Sequence, residues 1–123
     1  MPHGNFAWNE LMTNDVEKAK AFYKSTIGWK LDAMPMPNGT YWVAKLDDKP
    51  VAGIMDMAGT VPPGTPPHWF SYIEVDDVDA RVKKIAASGG KVMREPFDIP
   101  GVGRIAVLAD ATGAMIGWMT PKH

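Results

Sequence analysis

Apolar and polar residues alternate along most of the chain, and apolar residues at helical spacing interrupt this alternation twice. Alternation with a period of two is typical of a half-buried strand, whereas apolar residues three and four positions apart mark one face of a helix. The alternating stretches predict eight strands, at 6–13, 29–34, 40–46, 50–57, 68–75, 91–97, 103–109 and 114–119. One helix is predicted after the first strand and another after the fifth.

Polar residues and glycines set the predicted ends of the two helices. Asn14 is the predicted cap of the first helix, with Glu17 completing a capping box, and Asp76 is the predicted cap of the second. Gly28 and the SGG sequence at 88–90 end the helices. The predicted buried residues are Val16, Ala19, Phe22, Tyr23 and Ile27 in the first helix and Val78, Val82, Ile85 and Ala86 in the second.

The order of one strand, one helix and three strands occurs twice, and individual residues repeat with it. A gap-free alignment at an offset of 62 residues, from Asp15 to Asp77, includes eight identical pairs that are spread over the whole copy. They are Asp15/Asp77, Val16/Val78, Gly28/Gly90, Leu46/Leu108, Asp48/Asp110, Ala52/Ala114, Ile54/Ile116 and Met57/Met119. Such a repeat indicates duplication. It predicts an α+β fold in one domain, 1–123, with βαβββ modules at 5–57 and 68–120 and an extended Pro- and Gly-rich linker at 58–67.

Each predicted module has one helix, which can cover only one face of its four-stranded sheet. The other face is expected to pack against the equivalent face of the twin module or of another subunit. Two curved sheets that face each other would enclose a cleft, a usual place for a ligand. Sheet edges also favour pairing or covering, so a homodimer is predicted. The sequence leaves open whether the modules pair within one chain or across two.

Composition narrows the possible functions. The 123 residues suit one domain, and the 46% of hydrophobic residues are sufficient for a core. The chain has 13 basic and 14 acidic residues. This balance argues against binding to nucleic acid or to a membrane surface, because proteins that bind either one normally have an excess of basic residues. Without cysteine there is no disulfide framework. No signal peptide or bilayer-length apolar run is evident, so a cytoplasmic protein is predicted.

The predicted cleft has an aromatic and Met-rich wall with a few polar groups. Its ligand-binding residues are predicted to be Trp8, Glu10, Met55, Phe70, Tyr72, Glu74, Gly117 and Met119, together with Trp42 and Arg104, which are repeat partners. Such a wall suits a flat, partly apolar small molecule. The alternative is that these side chains pack against one another and leave no cavity. The segment FDIPGVGR, 97–104, is predicted to be a long hairpin loop, or alternatively a lid that carries Arg104 to an anionic ligand.

Glu10 is the candidate catalytic residue of this wall. A carboxylate in the middle of a strand beside Trp8 would be costly to bury without a partner. It is therefore expected to reach solvent or to pair with Arg104, Lys45 or Tyr72. In a catalytic version of the site Glu10 would act as a general base.

The paired modules, the opening ND-V…AFY…GW, the segment FDIPGVGR and the D-x-x-G-A turn at 110–114 together resemble the vicinal oxygen chelate superfamily. This superfamily includes glyoxalase I, the bleomycin and fosfomycin resistance proteins and the extradiol dioxygenases. The resemblance implies a divalent metal in the cleft, held by His on the first strand and Glu on the last strand of each module. It places these ligands at Trp8, Met55, Phe70 and Gly117.

None of these four residues offers the oxygen, imidazole or thiolate donor that Mg, Mn, Zn or Ni requires. We therefore predict a metal-free protein, without a cofactor, that binds a small molecule in the manner of the resistance proteins. The alternative is a divalent-metal-dependent lyase, isomerase or dioxygenase that uses displaced ligands, namely His68, Glu74 and Glu10. The sequence leaves open whether any reaction is catalysed.

Overall fold

The computed structural model describes residues 3–36, 39–58, 61–99 and 102–121. Eight strands and two helices follow one another as β1 (Phe6–Thr13), α1 (Val16–Ile27), β2 (Lys30–Met36), β3 (Gly39–Leu46), β4 (Lys49–Asp56), β5 (His68–Glu74), α2 (Val78–Val82), β6 (Lys91–Ile99), β7 (Gly103–Ala109) and β8 (Met115–Pro121). Every predicted strand is present, most with ends shifted by one or two residues. Among the described residues, none of the helices is long and apolar enough to cross a membrane.

The chain forms two compact units. The first unit is Asn9–Trp69, and the second unit combines Met1–Trp8 with Phe70–His123. The strand order is β2-β3-β4-β1 around the first helix and β5-β8-β7-β6 around the second. In both cases the strand before the helix runs parallel to the last strand, and the other pairs are antiparallel. This arrangement confirms the predicted α+β fold with two βαβββ modules. The predicted limits of the modules and the linker stay a prediction.

The first unit places a small apolar core beneath α1. Leu11 and Ile54 are paired neighbours on the sheet and are buried. The helix itself buries no side chain completely. Phe22 and Ile27, which were predicted to be buried, are 57% and 54% exposed, so that part of the predicted helical face is wrong. An apolar residue at helical spacing is buried only where another element covers it, and only a part of α1 lies against the sheet.

The second unit has the more complete core. Its buried residues are Val75, Val78, Val82, Ile85, Ala106 and Leu108, with Ile73, Val92, Ile116 and Trp118 packed around them. Burial of Val78, Val82 and Ile85 confirms the predicted helical face, whereas Ala86 is exposed. Ala86 is exposed because α2 ends at Val82 and a single 3₁₀ turn, Ala86–Ser88, follows instead of a continued α-helix.

The helix caps lie one residue later than predicted. The Asp15 carboxylate accepts a hydrogen bond from the Lys18 amide at 3.1 Å, and the Asp77 carboxylate accepts one from the Ala80 amide at 3.2 Å. An N-cap acceptor must stand directly before the first helical residue, and aspartate fills that position in both modules. The cap predictions for Asn14 and Asp76 are therefore wrong. Asp15 and Asp77, however, are the pair on which the repeat was aligned.

The gap-free offset of 62 residues does not hold beyond the helices. Glu10 on β1 lies beside Gly53 on β4, and its repeat partner Tyr72 on β5 lies beside Gly117 on β8. The equivalent glycines are thus 64 residues apart, from 53 to 117. Strand β6 contains two β-bulges, each of which inserts a residue without a counterpart in β2 and so shifts the later strands. By strand register, the counterpart of Met55 is Met119.

The predicted long loop at 97–104 is mostly strand. Phe97, Asp98 and Ile99 at the end of β6 pair with Ile105, Arg104 and Gly103 at the start of β7. The hairpin connection is therefore confined to residues 100–102, of which 100 and 101 lie outside the described residues. The prediction of a long loop rests on the proline and glycines of FDIPGVGR, whereas strand pairing continues as far as Ile99 and begins again at Gly103.

Candidate functional site

The four strands of each unit have one face toward the helix and one helix-free face, and strand alternation assigns the strand residues to one face or the other. In the first unit the helix-free face carries Glu10, Met12, Tyr41, Gly53 and Met55. Trp8 precedes Glu10 by two residues on the same strand, so it shares that side of β1, and it is half-buried. Three of the predicted residues, Glu10, Met55 and Trp8, thus lie on this side as expected.

Glu10 is held by a tyrosine that is not among the predicted site residues. The Tyr41 hydroxyl donates a hydrogen bond of 2.8 Å to Glu10 Oε1, and the carboxylate residue is only 6% exposed. The Tyr41 ring lies across Gly53, where a Cβ atom would overlap its ring and hydroxyl. Of the predicted partners, Lys45 instead pairs with Asp32 at 2.7 Å. Glycine at 53 is therefore what allows the phenol to reach the carboxylate.

The second unit repeats the motif of a tyrosine ring on a glycine. Its helix-free face carries Phe70, Tyr72, Glu74, Gly117 and Met119, so all five predicted residues of this module share one face. The Phe70 and Tyr72 rings meet edge to face with centroids 5.1 Å apart. The Tyr72 ring lies across Gly117, and a Cβ atom at that position would overlap the ring. Aromatic packing thus fills the space where a side chain at 117 would stand.

Trp42 and Arg104 lie on the opposite faces, so their predicted place in the cleft wall is wrong. Trp42 pairs with Ile54 beneath α1, and the Lys20 ammonium lies 3.3 Å from the centroid of its ring. Arg104 donates hydrogen bonds of 2.6 and 3.0 Å to Asp79 on α2. The prediction that they are repeat partners is also wrong, because Trp42 pairs with Ile54 whereas Ala106, not Arg104, pairs with the equivalent Trp118.

The Arg104 guanidinium is engaged by carboxylates on both sides. Besides Asp79 it contacts Asp98 at 3.2 Å. The hydrogen bond from Arg104 lowers the pKa of Asp79, and the two carboxylates raise the pKa of Arg104. This ion cluster ties α2 to the β6–β7 hairpin. The alternative prediction of a lid that carries Arg104 to an anionic ligand has no support in this arrangement.

The helix-free faces also carry residues that the sequence did not predict. One is Tyr41 in the first unit. Others are Ile105 and Phe97 in the second unit, which continue the row of Glu74 and Met119 across the sheet. The Arg94 guanidinium lies 3.7 Å from the centroid of the Phe97 ring. Alternation along 39–46 could have identified Tyr41, because Tyr41 and Trp42 must point to opposite faces. The bulges that place Phe97 opposite Ile105 left no such signal.

The site does not fit the metal that the resemblance implies. Trp8, Met55, Phe70 and Gly117 carry no hard-metal donor, and Gly117 lies under a tyrosine ring. Within the described ranges no group of three His, Cys, Asp or Glu residues is placed to hold a metal ion. His68, one of the displaced ligands considered, has its Nδ1 2.9 Å from the Pro66 carbonyl oxygen. The displaced-ligand set of His68, Glu74 and Glu10 therefore has no geometric support.

A separate depression of about 470 Å³ lies at the linker in the first unit. It is lined by Asn14, Met57, Ala58, Val61, Pro62, Pro63, Gly64, Thr65 and Pro66. The Thr65 hydroxyl donates to the Pro62 carbonyl at 2.6 Å. None of the lining side chains is charged, so this depression offers less chemistry than the helix-free faces.

Comparison with known sequences gives a consistent family relationship. Residues 5–117 match the model of the Glyoxalase/Bleomycin resistance protein/Dioxygenase superfamily. The "Putative glyoxylase CFP32" of Mycobacterium tuberculosis is 44% identical over 119 residues, which cover 94% of this chain and 46% of that protein. The anthracycline biosynthesis protein DnrV of Streptomyces peucetius is 34% identical over 120 residues, covering 88% and 44%. The chain thus spans about half the length of these curated relatives.

A relative of more similar length is a glyoxylase-like domain-containing protein of Didymella fabae, which is 31% identical over 104 residues, covering 79% of this chain and 77% of that protein. Among solved structures, methylmalonyl-CoA epimerase of Mycobacterium tuberculosis superimposes with a TM-score of 0.68 at 16% identity, covering 97% of this chain and 89% of that one. At this low identity the superposition demonstrates a shared fold and nothing about shared chemistry.

Proposed function

Because the chain belongs to the Glyoxalase/Bleomycin resistance protein/Dioxygenase superfamily, we propose that it binds a small, partly apolar molecule on its helix-free faces without the metal ion of the family's enzymes. The faces combine apolar and aromatic surface with a few carboxylates and hydroxyls, which is the composition of a small-molecule site. Trp8, Met55, Phe70, Tyr72 and Met119 are partly exposed. They therefore leave apolar surface that a ligand can cover.

The Tyr72 ring over Gly117 is the observation that carries this proposal. The family resemblance expects a carboxylate ligand at 117, yet even a Cβ atom there would overlap the ring. A metal-binding side chain at 117 would thus require the ring to leave. The ring itself is a stacking surface for a flat ligand, and such pairs add binding energy beyond the area they bury. The proposal thus assigns an aromatic surface, rather than a carboxylate ligand, to this position.

The family relationship is compatible with several chemistries, and the names of the relatives do not distinguish among them. One relative is named for anthracycline biosynthesis and another as a glyoxylase. The alternative of a metal-dependent lyase, isomerase or dioxygenase needs a donor set that the described residues do not assemble. Binding therefore explains the geometry better than metal-assisted catalysis.

Metal content gives the first test. Protein is purified without chelator, incubated with Mn²⁺, Ni²⁺ or Zn²⁺ and passed through gel filtration. Elemental mass spectrometry should then find far less than one metal ion per chain. A stoichiometric ion, removed by chelator with loss of the fold or of ligand binding, would refute the metal-free part of the proposal.

Binding of a neutral aryl probe gives the second test. Dansylamide should bind with an increase in its emission, and Tyr72→Ala and Phe70→Ala should weaken it, because these rings form the wall of the second unit. Leu46→Ala is the matched control, since Leu46 is an exposed apolar side chain at the end of β3. No binding, or equal losses in all three variants, would favour faces filled only by their own side chains.

We also propose that the chain forms a homodimer through the exposed side of its first unit. Phe22, Ile27 and Trp69 are 57%, 54% and 42% exposed, and Trp69 joins Tyr23 and Trp29 in an aromatic cluster. Exposed apolar patches of this kind mark interaction surfaces. Sedimentation equilibrium should give twice the 13.4 kDa chain mass, and Phe22→Glu should give the monomer. A monomeric wild-type protein at tens of micromolar would contradict this proposal.

A further inference from the structure

We propose that Tyr41 recognises a hydroxyl group of the ligand by accepting a hydrogen bond from it. Tyr41 lies on the helix-free face of the first unit, and its own hydroxyl donates to Glu10 Oε1 at 2.8 Å. A phenol has one proton, and this proton is directed to the carboxylate. Toward a ligand the phenolic oxygen therefore presents lone pairs rather than a donor. This inference rests on the proposed function and names the ligand group that the face selects.

Chemistry and packing both fix the direction of the hydrogen bond between Tyr41 and Glu10. Phenols are far weaker acids than carboxylic acids, so the proton between the two groups stays on the tyrosine oxygen. The Tyr41 ring lies across Gly53, and Gly53 is the neighbour of Glu10 on the adjacent strand. The hydroxyl is thus already oriented before a ligand arrives, and such preorganisation lowers the cost of binding.

The surroundings of Tyr41 suit the apolar body of a ligand. Glu10 is only 6% exposed, whereas Tyr41 is partly exposed and is the member of the pair that a ligand meets first. Met34 is its direct neighbour on β2 and is 39% exposed, and Met55 lies on its other side on β4. Thioether side chains adapt their shape to an apolar or aromatic partner. The expected ligand is therefore a hydroxyl group on a flat or apolar body.

Charged ligand groups fit this position less well than a hydroxyl. A carboxylate or phenolate has no proton to donate and would lie close to the Glu10 carboxylate, and the Lys45 ammonium is already bound to Asp32 at 2.7 Å. An ammonium group has three protons to satisfy, whereas the thioethers beside Tyr41 are weak acceptors. A hydroxyl has a single proton, which the Tyr41 oxygen accepts.

A pair of matched probes tests the inference on the wild-type protein. 2-Naphthol and 2-methoxynaphthalene share one flat body, but only 2-naphthol donates a hydrogen bond, and the fluorescence anisotropy of each probe reports its binding. 2-Naphthol should bind about fivefold more tightly, as expected for one hydrogen bond, although the ether is the more apolar probe. Equal affinities, or tighter binding of the ether, would overturn the role of Tyr41 and leave the proposed function standing. Failure of both probes to bind would overturn both.

Two variants assign the preference to the pair. Tyr41→Phe keeps the ring over Gly53 and removes the acceptor, so the preference for 2-naphthol should disappear. Glu10→Leu removes the group that holds the Tyr41 proton, and this proton can then be donated to the ether oxygen, so the preference should disappear or reverse. A preference that survives either substitution, in protein shown to be folded by circular dichroism, would refute the inference.

Glu17→Gln is the matched control for the loss of a carboxylate. Glu17 is an exposed residue of α1 whose carboxylate pairs with Lys20 at 3.0 Å. This variant should keep the wild-type preference for 2-naphthol. Loss of the preference in Glu17→Gln as well would show that the preference does not depend on the Tyr41–Glu10 pair, and would count against the inference.

Discussion

Gly117→Ala tests whether the Tyr72 ring occupies the position at which the resemblance expects a metal ligand. Gly117 is buried and its backbone is outside the left-handed region, so alanine meets no backbone strain there. Only the added Cβ matters, and it would overlap the Tyr72 ring and lie 3.0 Å from Phe70 Cε2. The ring must therefore move, or the strands must separate.

The expected magnitude follows from two opposing effects. Overpacking a well-filled site costs about 1–3 kcal/mol, whereas replacing glycine by alanine stabilises by about 0.4–1 kcal/mol through the unfolded chain. Gly117→Ala should thus lower the free energy of unfolding by about 0.5–2 kcal/mol. In a Tyr72→Ala background the overlap with Tyr72 is absent, and the same substitution should be neutral or stabilising. The coupling energy between the two sites should then be about 1–3 kcal/mol.

Urea unfolding of the wild type, both single variants and the double variant, followed by tryptophan fluorescence, measures this cycle. Thermal unfolding gives an independent check, since 1 kcal/mol corresponds to a shift of roughly 3–6 °C for a domain of this size. If Gly117→Ala costs the same in both backgrounds, or stabilises the wild type, the ring does not occupy the space above Gly117. The metal-free proposal would then lose its main support.

Three further predictions concern stability, measured by urea unfolding. Asp15→Ala should lower the free energy of unfolding by about 0.5–2 kcal/mol, and Asn14→Ala should lower it much less. A larger loss for Asn14→Ala would support Asn14 as the cap of α1. Hydrogen bonding from Arg104 lowers the pKa of Asp79. The stabilisation by this pair is therefore present at neutral pH and is lost as the pH falls below the ordinary carboxyl value of 3.8. Asp79→Asn should reduce stability at pH 7 and flatten this acid dependence, and an unchanged profile would contradict the assignment. Asp48→Gly should stabilise by up to about 1 kcal/mol. Asp48 has a φ of 62° in a two-residue turn, and relief of the roughly 1–2 kcal/mol cost of this conformation exceeds the about 0.4–1 kcal/mol that glycine loses through the unfolded chain. A loss of stability would refute the turn assignment.

Much of the candidate site could be predicted because strand alternation is a local property. Glu10, Phe70, Tyr72 and Glu74 were assigned correctly to one side of their strands from the sequence alone. Trp42 and Arg104 were assigned to the wrong side. On a middle strand, alternation identifies which residues share a face but not which face the helix covers. The contacts of Lys20 with Trp42 and of Asp79 with Arg104 decide this.

The same limit explains the Tyr41–Glu10 hydrogen bond. The two residues are 31 positions apart, and they meet because β4 lies between β1 and β3 and presents Gly53 to both. No pattern within either strand predicts that pairing. It depends on strand order and on the absence of one side chain, which are properties of the assembled sheet.

The sequence by itself determined the elements, the two βαβββ modules and the family, because periodicity, caps and turn residues act over a few neighbouring positions. The tertiary structure alone decided which face each middle strand presents to its helix and where the bulges of β6 shift the repeat. It also decided that tyrosine rings lie on Gly53 and Gly117. These features arise between strands distant in sequence, where register and packing, rather than local preference, set the energy.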